Sequence, residues 1–219
     1  MPKFIRDNSL TIVVLVMFIL ALGGQTITGQ SVFNDEQVAH GESPVSLPEY
    51  LTTGHFGEAV FENFESEFLQ MGVFVLLTVV LRQKGSPESK QIDGEEEVDR
   101  EPDPDRPGAP WAVRAGGAVR AVYEHSLTIA LFGLFALSFT LHAITGAAEY
   151  SAEQASHGEE GVSAIGYLAT SQFWFESLQN WQSEFLSIVA LVVLAIFLRE
   201  KGSPESKPVD AAHDETGSQ

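Results

Sequence analysis

Long apolar stretches without formal charge are the main pattern along the chain. Residues 10–28 form one such stretch, and residues 127–145 form its equivalent. At 1.5 Å per residue, about 19 residues make a helix of about 28 Å, close to the ~30 Å hydrocarbon thickness of a bilayer. Two shorter apolar runs, 68–81 and 185–198, reach spanning length only if the aromatic-rich residues before them join the helix. The pattern predicts four membrane-spanning helices, at about 10–29, 62–82, 127–146 and 179–199.

The apolar pattern recurs because the sequence itself is repeated. The segment from Ser9 to Lys90 returns as Ser126 to Lys207, at a constant offset of 117 residues and without a gap. Roughly two in five aligned positions are identical, which predicts two copies of one structural unit. The expected fold is therefore an all-α membrane protein built from two two-helix repeats. Its predicted parts are repeat 1 (1–90), a linker (91–117), repeat 2 (118–207) and a tail (208–219).

The basic residues predict how these helices are oriented. All 12 Lys and Arg residues lie before the first span, between the second and third spans, or after the fourth. The positive-inside rule then places both termini and the linker in the cytoplasm, with residues 30–61 and 147–178 facing outward. Because each copy has two spans, the copies enter the membrane in the same direction as parallel repeats. A cleavable signal peptide is disfavoured for the first stretch, since the same segment recurs in mid-chain.

Turn-forming residues mark the inner ends of the second and fourth spans. Gly85 and Pro87 follow basic residues after the second span, and Gly202 and Pro204 repeat this arrangement. Cations suit the negative end of a helix, and Gly followed by Pro is typical of a helix C-terminus. These helices are therefore expected to stop just before the basic loops.

The outward loops contain signals for further helix. The first helix is predicted to extend beyond the membrane to a stop at Gly41. Ser46 and Glu49 then match a capping box that opens a short helix, which Gly54 would close. The second copy lacks the glutamate of the box, but a short outer helix is expected there as well.

Composition and charge exclude several functions. The net charge of −18 disfavours nucleic-acid binding, and the absence of cysteine excludes disulfides and thiol chemistry. The linker and the tail are rich in acidic residues with little apolar surface to bury, which predicts disorder. No phosphate-binding loop, nucleophile elbow or metalloprotease helix occurs in the sequence. We therefore expect a protein that is not an enzyme and has no cofactor.

Several motifs along the chain carry a family resemblance. Residues 34–41, Tyr50-Leu51, 61–71 and 81–90 resemble an uncharacterised prokaryotic family of small integral membrane proteins, known only as a domain of unknown function. The resemblance extends to both halves, as two tandem copies. It implies an inner-membrane location and no particular activity. The second copy departs from the pattern, because it has glutamines at positions equivalent to Glu62 and Glu65.

Polar residues near the spans are the first candidates for chemistry. Asn63, Glu67 and Gln70 fall on one face of a helix, and the second copy repeats this stripe as Asn180, Glu184 and Ser187. Gln25 and its counterpart His142 are expected at a similar depth in the neighbouring helices, within reach of these glutamates. Two interpretations stay open: proton or cation handling by the glutamates and His142, or simple packing of hydrated side chains between helices.

A second candidate is a metal site in the outward loops. Glutamate and histidine four residues apart on a helix could share a metal, and the duplication could bring two such groups together. The alternative is an exposed helix end capped by glycine. The residues concerned are Glu36, His40, Glu42, Glu153, His157 and Glu159.

The sequence thus favours a structural or accessory protein of the inner membrane that acts through partners. The alternative is a small proton or cation transporter or channel that uses outer-leaflet glutamates. Small residues in the odd-numbered spans would permit close helix contact and formation of a homo-oligomer. They are Gly23, Gly24, Gly29, Gly133, Ala136 and Gly146.

Overall fold

A computed structural model describes residues 2–94 and 96–217, and within these residues the regular structure is helical. The predicted repeat 1, linker and tail include Met1, Glu95, Ser218 and Gln219, which lie outside the described residues. A single 3₁₀ turn covers Glu97–Asp99. The α-helices in chain order are α1 (Lys3–Asp7), α2 (Ser9–Ala39), α3 (Leu47–Tyr50), α4 (Gly54–Val80), α5 (Trp111–Ala115), α6 (Gly117–Glu124), α7 (Ser126–Ser156), α8 (Ala164–Tyr167) and α9 (Ser171–Phe197).

Four of these helices, α2, α4, α7 and α9, are long and apolar enough to cross a membrane by length and composition. The prediction of an all-helical protein with four such helices is confirmed. Helices α2 and α7 each contain 31 residues, and α4 and α9 each contain 27. Large apolar side chains remain exposed along all four, and α2 has no fully buried residue. The surface of these helices is therefore mainly apolar.

The helix ends agree with the sequence signals in most places. Helix α2 runs to Ala39, as predicted, and is followed by Gly41 at a φ of 80°. Gly85 and Gly202, after α4 and α9, have φ values of 87° and 89°. These are left-handed conformations that favour glycine over other residues.

The start of α4 differs from its prediction. The helix begins at Gly54 instead of about residue 62, and Gly54 opens this helix instead of closing α3. The physical cause is Thr53, whose hydroxyl accepts a hydrogen bond from the Phe56 backbone N–H at 3.2 Å and so caps the helix. Thr170 caps α9 in the same way, through the Phe173 N–H at 3.3 Å.

The short helices form through side-chain caps. Ser46 and Glu49 build the predicted capping box of α3, with the Ser46 N–H donating to the Glu49 carboxylate at 2.7 Å. In α8, which lacks the glutamate, the Ser163 hydroxyl accepts from the Gly166 N–H at 3.1 Å. The prediction of a short helix after each of α2 and α7 is confirmed.

The chain forms two compact units. The first comprises residues 1–61 and 140–174, and the second comprises residues 62–139 and 175–219. Each unit takes residues from both halves of the chain. Among the described residues, the largest fully buried side chains of the first unit include Tyr50, His142, Tyr167 and Phe173, and those of the second include the polar residues Glu65, Ser66 and Ser86.

Candidate functional site

The candidate site lies in the first unit, where the first turns of α4 approach α7 very closely. A Cβ atom at Gly54 would lie 2.6 Å from the Glu149 backbone nitrogen and 2.8 Å from the Thr145 carbonyl oxygen. A Cβ atom at Gly57 would collide with the Thr145 side chain. The two glycines therefore allow a helix contact that no larger residue permits. This contact brings the polar side chains of the two helices together.

The first set of side chains, which we name the Glu58 group, consists of Glu58, His142 and Tyr167. The Tyr167 hydroxyl donates a hydrogen bond to Glu58 Oε1 at 2.9 Å. A carboxylate oxygen of Glu58 and a ring nitrogen of His142 lie within 4.8 Å of each other. An acid and an imidazole at this separation can exchange a proton directly or through one water molecule.

The Glu58 group is enclosed by aromatic and small residues. His142, Tyr167 and Phe173 are each 0% exposed, and the His142 ring stacks on Phe173 with a centroid distance of 4.8 Å. Gly146 leaves room for the tyrosine, because a Cβ there would lie 2.5 Å from the Tyr167 ring and 3.0 Å from Glu58 Oε1. Burial of a titratable ring beside a carboxylate has a desolvation cost, which makes such a group a functional candidate.

A second set, the His55 group, consists of Tyr50, His55 and Glu149. The Tyr50 hydroxyl and His55 Nδ1 share a hydrogen bond of 3.0 Å. The Glu149 carboxylate accepts a hydrogen bond from the His55 backbone N–H and lies near the His55 ring. Burial raises the pKa of the Tyr50 hydroxyl, and the negative charges of Glu149 and Glu36 act in the same direction.

The two groups have a common construction. Helix α4 supplies His55 and Glu58, which are three residues apart, and α7 supplies His142 and Glu149, which are seven apart. Both spacings put the two side chains on one face of their helix. Each histidine thus lies near a glutamate of the other helix, and each group is completed by a buried tyrosine.

The acidic face of α4 continues beyond the first unit. Glu62 and Glu65 follow Glu58 at helical spacing along the same stripe. Glu65 is 0% exposed, and Trp181 Nε1 donates a hydrogen bond to its carboxylate at 3.1 Å within the second unit. A further carboxylate of that unit, Glu176, lies one helical turn beyond Phe173 in α9. Glu65 is thus fully buried in the second unit, whereas Glu58 in the first unit and Glu176 in the second are half-buried.

The polar stripe predicted from the sequence is partly assembled in the second unit. The Gln70 amide donates to the Glu184 carbonyl oxygen and to the Ser187 hydroxyl, both at 3.4 Å. Glu67 lies close enough to Glu184 for its charge to act on that carboxyl group. Glu67 itself is exposed. The buried carboxylate on this part of α4 is thus Glu65, which the sequence reasoning did not select.

The other predicted residues take part in hydrogen bonds that involve backbone carbonyl oxygens. The Gln25 amide donates to the Ala59 carbonyl oxygen at 3.3 Å. The Asn180 amide donates to the Glu176 carbonyl oxygen at 3.1 Å, one turn earlier in α9. The Asn63 backbone carbonyl oxygen accepts a hydrogen bond from the Ser66 hydroxyl at 2.8 Å. Gln25 and His142 were both predicted to lie near the glutamates of the polar stripe. Of these two, only His142 belongs to the Glu58 group.

The six residues of the predicted metal site are all exposed at the ends of α2 and α7. His40 Nδ1 bonds to the Glu36 carbonyl oxygen at 2.9 Å, and His157 Nδ1 bonds to the Glu153 carbonyl oxygen at 3.0 Å. The backbone N–H groups of Glu42 and Glu159 close the same helix ends through backbone hydrogen bonds of 2.8 and 2.9 Å. These contacts are those of a helix C-terminal cap, and metal binding there stays a prediction.

The fold is that of an all-helical protein with four helices that could cross a membrane. The chain belongs to the family described as Domain of unknown function (DUF6766), which it matches over residues 1–218. The predicted resemblance to a domain of unknown function is thereby confirmed, and the family match covers both halves of the chain in one copy. No curated protein and no solved structure matches the chain.

Proposed function

We propose that this chain is an integral membrane protein that takes up and releases protons at the Glu58 group. The observation that carries the proposal is that a carboxylate, an imidazole and a phenol meet between helices whose outer surface is apolar. Ionisable residues within spanning helices are costly and usually mark an ion or proton pathway. The proposed activity requires neither catalysis of a covalent reaction nor a cofactor.

A membrane location is supported by the distribution of side chains. Exposed Leu, Ile, Val and Phe residues cover α2, α4, α7 and α9, whereas polar residues such as Glu65, Ser66 and His142 are buried. This arrangement suits a lipid surrounding, in which apolar side chains face outward at no cost. With the basic residues on the cytoplasmic side, the termini and linker are internal, and Gly41 and Gly158 lie outside.

The copies form parallel repeats in this proposal. Support comes from residues 117 positions apart that meet in the second unit: Gln70 reaches Ser187, and the charge of Glu67 acts on Glu184. Contacts between equivalent positions are expected along a pseudo-twofold axis parallel to the helices. Gly23, Gly24 and Gly133, where an added Cβ would meet nothing within 4 Å, leave space for a second copy of the chain in a homo-oligomer.

The side chains have distinct tasks in proton transfer. Glu58 and His142 exchange the proton, because one is a carboxylic acid and the other is an imidazole that can accept it. Tyr167 fixes the orientation of the Glu58 carboxylate through its hydrogen bond. The His55 group lies nearer the start of α4 and supplies the entrance. From His55 to Glu65 the stripe extends about 15 Å along the helix axis, a third to a half of the membrane thickness.

Proton flux into liposomes tests this proposal. Purified protein is reconstituted, a pH gradient is imposed, and an internal pH-sensitive dye reports flux. We expect flux from the wild type, and loss of at least tenfold in Glu58→Gln and His142→Gln. The control is Glu67→Gln, which removes the same charge from an exposed position of the same helix. Loss of flux in Glu67→Gln but not in Glu58→Gln would instead support the outer-leaflet glutamates predicted from the sequence.

A structural or accessory role is the second candidate. It is favoured by the packing of both tyrosines on glycine: an added Cβ at Gly29 would collide with Tyr50, as one at Gly146 would with Tyr167. The first copy keeps this packing without a histidine at the position of His142, where it has Gln25. Absence of flux in the wild type, together with lower thermal stability of Glu58→Gln and His142→Gln, would support this role. Stoichiometric metal that is lost in Glu58→Gln would indicate cation binding instead.

A further inference from the structure

The loops that follow α4 and α9 are joined by the C-terminal tail. We name residues 81–90 the first loop and residues 198–207 the second loop; both contain the sequence Gly-Ser-Pro-Glu-Ser-Lys. In the first loop Gly85, Ser86 and Ser89 are buried, although this loop lies outside the helices. Burial of so polar a segment requires a cover, and the tail provides it.

The tail is anchored to the second loop through Lys207. The Lys207 ammonium group is 2% exposed and donates to the carbonyl oxygens of Ala212, His213 and Glu215, at 2.9 to 3.0 Å. An ammonium group has three donor hydrogens, so these bonds satisfy it fully. Arg199 adds two bonds to the same segment, to the Pro208 and Ala211 carbonyl oxygens.

The end of the tail is anchored to the first loop. The Gly85 N–H donates to the Thr216 hydroxyl at 2.8 Å, and the Gly217 N–H donates to the Ser86 carbonyl oxygen at 3.1 Å. A Cβ at Gly85 would collide with the His213 carbonyl oxygen, so the tail lies directly against this glycine. Lys84 pairs with Asp214 at 3.6 Å. The tail therefore bridges the two loops and can stay closed only while they remain together.

A carboxyl pair lies at the junction of the two loops. Glu88 and Glu205 occupy equivalent positions of the repeat, and their side chains are hydrogen-bonded to each other. Two carboxyl groups form such a bond only when one of them holds a proton. Burial, followed by the hydrogen bond and the charge of Glu205, raises the pKa of Glu88 to about 7. The hydrogen bond between Glu88 and Glu205 is therefore lost within the neutral pH range, because its shared proton leaves there.

We propose that residues 208–217 form a pH-sensitive strap, which is closed over the two loops when Glu88 and Glu205 share a proton and opens when both are ionised. Ionisation places two negative charges side by side and drives the loops apart. The tail cannot then keep its anchors on Lys207 and on Gly85 at once. Other charged groups on these elements are Arg82, Lys84, Lys90, Arg199, Glu200, Lys201, Lys207, Asp210, His213, Asp214 and Glu215.

The sign of the pH dependence follows from linkage. A carboxyl group with a raised pKa binds its proton more tightly in the closed state than in the open state. Its contribution to the closed state is complete below the ordinary value of 4.5 and is lost as the pH rises through about 7. The strap is thus closed in acid and open in alkali.

Distance measurements between spin labels test the strap. Because the chain has no cysteine, Val80→Cys at the end of α4 and Ala212→Cys in the tail can be labelled without other changes. We expect a narrow distance distribution at pH 5.5 and a longer, broader one at pH 8.5, with a midpoint near the pKa of Glu88, about 7. At pH 8.5 the ionised form exceeds the protonated form by about 30 to 1.

Two variants and two controls make the test specific. Glu88→Gln and Glu205→Gln each replace one carboxyl group by a neutral amide that can donate to the other at every pH, so both should keep the narrow distribution at pH 8.5. Glu200→Gln, an exposed carboxylate of the second loop, should keep the wild-type transition. His213→Gln should also keep it, since glutamine can still donate to the Ile196 carbonyl oxygen. A transition that persists in both carboxyl variants, or is abolished by His213→Gln, would overturn the proposal.

Discussion

At the scale of single residues, the acids and imidazoles that meet in the Glu58 and His55 groups stand at positions that differ between the two halves of the sequence. Glu58 stands where the second copy has Phe175, and His142 stands where the first copy has Gln25. The sequence reasoning gave most weight to residues that both copies keep, such as Glu67 and Glu184. The pairs that the fold brings together, His142 with Glu58 and His55 with Glu149, come from positions that differ between the copies. No local spacing could have indicated these pairs.

The environment of Tyr50 provides a test of the His55 group. Replacing Glu149 by Gln removes a nearby negative charge, so the phenolate of Tyr50 becomes less costly and the pKa of Tyr50 should fall. It should remain above the ordinary value of 10.0, because burial is the larger cause of its rise. Ultraviolet absorbance of the phenolate during alkaline titration measures this pKa, with Tyr50→Phe to assign the signal. An unchanged titration in Glu149→Gln would show that the two groups are not neighbours.

At the scale of elements, the sequence predicted helices better than it predicted their contacts. The capping box at Ser46 and the glycine stops at Gly85 and Gly202 are local features, and local hydrogen bonding explains why they were predictable. The prediction that Gly54 closes the short outer helix was wrong, because Gly54 opens α4. Gly57 follows it in the first turn. Their role is to let α4 approach α7, which depends on residues more than 80 positions away.

That contact predicts the effect of enlarging a glycine. Gly57→Ala should destabilise the protein by about 1–3 kcal/mol, because the added methyl group collides with Thr145 and overpacks the interface. Gly133→Ala in α7 is the matched control, since a Cβ there meets nothing within 4 Å. It should stabilise the helix by up to about 1 kcal/mol through helix propensity. Thermal unfolding in detergent, followed by circular dichroism, measures both changes, and equal effects of the two substitutions would contradict the proposed packing.

At the scale of the whole molecule, the distribution of charge predicts the topology. Single cysteines can be placed in a chain that has none of its own. We expect Glu42→Cys and Glu159→Cys to react with a membrane-impermeant thiol reagent added to intact cells. Lys3→Cys and Asp210→Cys should react only after the cells are broken. Labelling of residues 42 and 159 from opposite sides of the membrane would contradict the parallel arrangement of the copies.

The two proposals also belong to this scale, because they concern different units of the molecule. We propose proton handling at the Glu58 group of the first unit, and a pH-sensitive strap at Glu88 and Glu205 of the second. The two proposals are tested by substitutions at different residues. Failure of one proposal therefore leaves the other open to its own test.

Infrared difference spectroscopy of the reconstituted protein tests the central claim most directly, because a protonated carboxyl group has a C=O stretching band that disappears on ionisation. Titration of the wild type should reveal such a band in a low-polarity environment. The band should be absent in Glu58→Gln, shifted in Tyr167→Phe because its hydrogen bond is lost, and unchanged in Glu67→Gln. An identical set of carboxyl bands in the wild type and in Glu58→Gln would contradict proton uptake at the Glu58 group.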